Sequence, residues 1–140
     1  MDIAYAFLAD NAAVPPDGKL YVLGGGINSL GLIQIPGRAG FAAVAGFRFA
    51  GPDAGSVFEV ELRLVDADGG LVVPPSTLRF QTGETVRPEE LINTVTYMAP
   101  MFGEGGAYRV EYWTSGRLLA AIGLSVVQRP AQPVPGTASV

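Results

Sequence analysis

Ser56-Val57-Phe58-Glu59-Val60-Glu61-Leu62-Arg63-Leu64-Val65-Asp66 alternates strictly through its middle. Phe58, Val60, Leu62 and Leu64 fall on one side, and Glu59, Glu61 and Arg63 on the other. Successive strand side chains point to opposite faces, so this is an antiparallel strand with one face in a core and one in water. Asp66-Ala67-Asp68-Gly69-Gly70 follows as a hairpin turn. The pattern recurs at Ala107–Trp113, where Tyr108, Val110 and Tyr112 oppose Arg109, Glu111 and Trp113. Thr114-Ser115-Gly116-Arg117 is its hairpin tip, and Leu118–Val127 returns as a strand apolar on both faces.

Working outward, residues 2–10 and Phe41–Ala50 read as strands that are also apolar on both sides. Ile92–Ala99 is a further strand, with Val95 and Tyr97 opposing Thr94 and Thr96. Thr77–Thr82 is a candidate strand, and Pro88-Glu89-Glu90-Leu91 suits a single helical turn. No window of helical length carries a period of 3.6 residues. About eight strands at this spacing predict an all-β fold, an antiparallel β-sandwich over residues 1–128. A proline-rich tail covers residues 129–140.

One stretch breaks the pattern. Gly18-Lys19-Leu20-Tyr21-Val22-Leu23-Gly24-Gly25-Gly26-Ile27-Asn28-Ser29-Leu30-Gly31 is a strand that meets three glycines and then resumes. The triplet lacks the Gly-Lys-Ser/Thr ending of a phosphate loop, and no helix is expected behind it. It reads as a bulge or a bend between sheets, where glycine lets one backbone approach another closely. Gly24, Gly25, Gly26 and the adjacent Asn28 are candidate binding residues on that bare backbone. Trp113, set among charged residues, is a candidate aromatic platform for a sugar or a protein partner.

Composition excludes much of the remaining chemistry. The 140 residues contain no cysteine and no histidine, which removes disulfides, thiol catalysis and the commonest transition-metal ligand. Ser29, Ser56, Ser76 and Ser115 therefore have no histidine to activate them, and Lys19 is the only lysine. A net charge of −4 with scattered arginines argues against nucleic-acid binding. No apolar run approaches the ~20 residues of a membrane helix, and no signal peptide is evident, so a cytoplasmic, non-catalytic protein is expected. Asp66-Ala67-Asp68-Gly69 lacks the later ligands of a calcium loop, and neither cofactor nor metal is expected. Glu59 and Glu61 read as solvated charges on a wet face rather than as an acid–base pair.

Ile3-Ala4-Tyr5-Ala6-Phe7-Leu8-Ala9-Asp10 followed by Gly18-Lys19-Leu20-Tyr21-Val22-Leu23-Gly24-Gly25-Gly26 resembles the opening of a family of uncharacterised bacterial proteins, a domain-of-unknown-function group. Gly105-Gly106-Ala107-Tyr108-Arg109-Val110-Glu111 with Ser115-Gly116-Arg117-Leu118-Leu119 is similar to the last hairpin of immunoglobulin-like sandwiches. These resemblances imply an immunoglobulin-like fold and no catalytic residues. Strands apolar on both faces, with a mean hydropathy of +0.32, exceed the needs of one small sandwich. The expectation is an interaction or structural module that forms a homodimer or takes a protein partner. The other reading is a small-ligand or carbohydrate-binding module that uses Trp113 and the glycine bend.

Overall fold

The structure, a computed structural model, describes residues 1–87 and 90–130. Residues 88 and 89 of the expected helical turn and the tail from residue 131 onward lie outside the described residues, and Leu91, the last residue of that turn, opens a strand instead. In chain order the strands are β1 (Asp2–Ala13), β2 (Tyr21–Gly25), β3 (Ser29–Leu32), β4 (Gly37–Arg38), β5 (Phe41–Arg48), β6 (Val57–Asp66), β7 (Ser76–Gln81), β8 (Leu91–Met98), β9 (Met101–Phe102), β10 (Gly106–Thr114) and β11 (Arg117–Gln128). They build a four-stranded sheet, β2-β1-β5-β8, and a five-stranded sheet, β3-β11-β10-β6-β7. The short β4 and β9 pair as a separate ribbon.

The two sheets close face to face over one core. From the four-stranded sheet come Leu8, Phe41, Ala43, Ala45, Phe47 and Met98; the facing sheet supplies Val60, Leu62, Leu64, Val110, Tyr112 and Leu124. Phe47 sits at the seam, its ring centroid 4.6 Å from Phe80 and 6.1 Å from Tyr112. The alternation of β6 and β10 therefore does what the pattern requires: the apolar set is buried and the charged set faces out. Fold class agrees with expectation, with nine strands in the two facing sheets. Two details differ. β1 runs on to Ala13, because Asn11, Ala12 and Ala13 gain partners in Leu23, Val22 and Tyr21. One pair is parallel, β3 beside β11, because β3 enters the second sheet from the opposite sheet rather than through a hairpin.

The strands apolar on both faces have an explanation inside the chain. Three cross-strand rows cover the outer side of the four-stranded sheet: Tyr5–Gly46–Asn93, Phe7–Val44–Val95 and Ala9–Ala42–Tyr97. Gly46 leaves room for the Tyr5 ring, which a Cβ there would overlap, and the Tyr5 hydroxyl reaches across β5 to donate to Asn93 Oδ1. From the other side Tyr97 donates to Asn11 Oδ1 at 2.7 Å and also to the Ala12 carbonyl. Ala42 and Val44 are fully buried beneath this layer, where Leu20 and Val22 also pack. Small residues on the central strand thus let long side chains from its neighbours lie flat over it.

Among the described residues one buried side-chain polar atom is unpaired. Tyr112 is fully buried, and its hydroxyl has no hydrogen-bond partner among the described residues. Burial drives its pKa far above the ordinary phenol range. A buried donor left unsatisfied costs free energy, so removing it is favourable when the ring is kept. Tyr112→Phe is expected to raise stability by about 1 kcal/mol. A thermal melt shifted upward by about 3 °C checks this, and a lowered melt would show that the hydroxyl has a partner.

Candidate functional site

The outer face of the five-stranded sheet is built from the charged halves of β6, β7 and β10. Register sets Glu61 opposite Trp113 and Arg63 opposite Glu111. The Arg63 guanidinium carbon lies 4.9 Å from the centroid of the Trp113 ring, while its Nε donates to Glu61 at 2.6 Å. Trp113 Nε1 donates to Glu111 Oε1 at 3.1 Å, and Arg109 Nε to Glu111 Oε2 at 3.2 Å. Arg79 pairs with Glu59 at 3.5 Å. A groove of about 550 Å³ runs beside Trp113 and is lined by Val57, Glu61, Arg63, Thr77 and Ser115. Its end is the hairpin tip, where Ser115 and Gly116 both take positive φ (46° and 75°), the turn whose twist suits two-residue hairpins.

Electrostatically this face is balanced, because each of Glu59, Glu61 and Glu111 has an arginine beside it. The Glu59 and Glu61 pairs are open to water and contribute little stability, whereas Glu111 is buried and held by Arg109 and the Trp113 N–H, so no carboxylate is left isolated for proton transfer. Among the described residues two groups are shifted from their usual range. Tyr112 is in the core. Asp53 is lowered by the Ala50 N–H and then by the N-terminal ammonium, on a surface 3-10 turn at Gly51–Asp53. Neither lines the groove. Among the described residues there is no group of three or more His, Cys, Asp or Glu suited to a metal ion. Asp66 spends its Oδ1 on the N–H groups of Asp68 and Gly70 within its own turn, both at 2.9 Å.

A model of a family of unknown function, DUF6941, matches residues 4–127, from β1 through nearly all of β11. The chain belongs to DUF6941. No curated protein matches it in sequence. Among solved structures it is similar to the β-glucosidase from Listeria innocua in complex with glucose, with 11% identity and a TM-score of 0.42. That match covers 75% of this chain and 15% of the glucosidase chain.

In this DUF6941 chain the glycine triplet is the switch between sheets. Gly25 ends β2 opposite Ala9, and four residues later, at Ser29, β3 begins beside β11. Gly24 and Gly26 have positive φ (61° and 85°), the left-handed region that glycine enters without penalty. The Gly26 and Ile27 N–H groups both donate to the Leu8 carbonyl, at 2.8 and 3.0 Å. Asn28 then accepts from the Ser125 N–H at 2.9 Å. The switch backbone is thus largely occupied by its own neighbours.

The five sequence candidates do not form one site. Trp113 pairs with Leu118 on β11, whereas Asn28 lies at Ser125, seven residues along the same strand. At about 3.3 Å per residue that is roughly 20 Å, too far for one small ligand to bridge. The pattern of residues did not reveal the tyrosine-covered face opposite. Its signal was present in β5, where Ala42, Val44 and Gly46 alternate with the core residues, but the neighbours that cover them come from distant segments.

Proposed function

We propose that the chain is a non-catalytic interaction or structural module that associates with itself. One observation carries this reading: the two outer faces of the sandwich differ in kind. The five-stranded sheet presents paired charges to water. The three central rows of the four-stranded sheet carry no charged residue at all, only Tyr5, Phe7, Ala9, Asn93, Val95 and Tyr97 beside Ala42, Val44 and Gly46 of β5. Interface cores are depleted in charge and enriched in tyrosine and phenylalanine, which is the composition of this face. Tyr97 stays 63% exposed. The arginine beside each carboxylate near the Trp113 groove supports the non-catalytic part of the reading. Static light scattering at micromolar concentration is expected to give twice the chain mass, and a monomer throughout would overturn self-association.

A second reading keeps the groove beside Trp113 as a carbohydrate subsite, favoured by its 550 Å³ and by hydroxyls from Thr77 and Ser115. Arg63 already lies over the ring, so a sugar would have to displace it or stack on the opposite face. Tryptophan fluorescence that stays constant across a saccharide panel would set this reading aside.

A further inference from the structure

The open edges of the two sheets are unequal. β2 is five residues long, ends in two glycines, and bends away where Gly24 takes positive φ. β3 has four residues, and the Arg129 side chain lies against Gly31. β7 carries Arg79 and follows Pro74-Pro75. Short length, bends, prolines and charges are the usual protections of a sheet edge. β8 has none of them: Leu91-Ile92-Asn93-Thr94-Val95-Thr96-Tyr97-Met98 is eight residues without charge, proline or glycine. It pairs with β5 on one side, and among the described residues no strand pairs with the other.

We infer that β8 pairs antiparallel with β8 of a second copy, joining two four-stranded sheets into one of eight strands. The inference rests on the self-association proposed above and names its edge and register. Opposed side chains in an antiparallel pair share a face, so the two-fold axis must pass through a residue rather than between two. Centring it on Val95 brings Val95 against its own copy and Thr94 against Thr96. It also sets Asn93 against Tyr97 and Ile92 against Met98. β-branched residues meet β-branched residues, and each core-side aliphatic meets another apolar chain. Centring on Thr94 instead would set Ile92 against Thr96 and Leu91 against Tyr97, a poorer match. The Val95 register adds roughly six to eight backbone hydrogen bonds, and no charged residue lies within either β8.

The chain has no cysteine, so introduced thiols report directly. Asn93→Cys and Tyr97→Cys proteins, mixed and oxidised, should form a mixed disulfide that neither forms alone, because only the 93–97 pair is opposed. Thr94→Cys with Thr96→Cys repeats the test on the other face should the first pair fail to fold. Val95→Lys sets two ammonium groups face to face and should raise the dimer dissociation constant about tenfold or more, with an unchanged far-UV spectrum. A wild-type dimer that persists in Val95→Lys and gives no mixed disulfide overturns the β8 edge while leaving self-association standing. A wild-type monomer overturns both.

Discussion

Phe47→Ala is expected to lower stability by about 3–5 kcal/mol, the largest loss of any single truncation in this chain. The reason lies in its position rather than in its hydrophobicity alone. Phe47 is fully buried on β5, the strand that has neighbours on both sides and cover on both faces. Its ring spans the gap between the sheets to Phe80 at 4.6 Å and Tyr112 at 6.1 Å. Truncation therefore opens a cavity bounded by strands from both sheets, and no exposed loop is free to collapse into it. A domain of this size has about 5–15 kcal/mol in total, so the variant should retain its fold only narrowly. Urea unfolding measures the effect through the midpoint, with the slope unchanged if the transition stays two-state. Phe49→Ala is the internal comparison. Its ring also meets Phe80, at 6.0 Å, but it lies one residue beyond the end of β5, where the chain relaxes more easily. A loss at Phe47 no larger than at Phe49 would mean that the core is not centred on this seam.

Much of this architecture was legible in the residues, and the physical reason differs from strand to strand. β6 and β10 announce themselves because one face is wet, and a wet face forces alternation. β5 is legible as a strand but not as a covered one: nothing local indicates that Tyr5 and Tyr97, more than forty positions away on one side and more than fifty on the other, lie across Gly46 and Ala42. The parallel contact of β3 with β11 is invisible for a related reason. A period of two residues reports burial and carries no information about the direction of the partner. The candidate site shows the same division. Parity on β10 puts Trp113 among charges, and in the structure it lies opposite Glu61. That Arg63 would occupy its ring depends on the register between β6 and β10, which hydrophobic pattern alone does not supply.

The glycine switch makes a sharper prediction, because the three glycines should differ in a fixed order. Gly24→Val is expected to cost roughly 2–3 kcal/mol, chiefly because a β-branched residue is strained at a φ of 61°, with a smaller cost for moving the exposed Asp10 side chain out of the way of the new Cβ. Gly26→Val should cost less, about 1–2 kcal/mol, because its φ of 85° carries the same backbone penalty but nothing lies within 4 Å of the added carbon. Gly25→Ala should cost least. Its backbone is ordinary, and the new methyl meets only Val22 Cγ1 at 3.0 Å and Phe7 at 3.5 Å. Thermal melts of the three variants give the order directly. A ligand resting on the triplet would impose a different one, set by the surface that each side chain covers rather than by φ. Gly24 first and Gly25 last identifies the triplet as the hinge that carries the chain from one sheet to the other. Equal losses at all three positions would remove backbone conformation as the reason for three consecutive glycines.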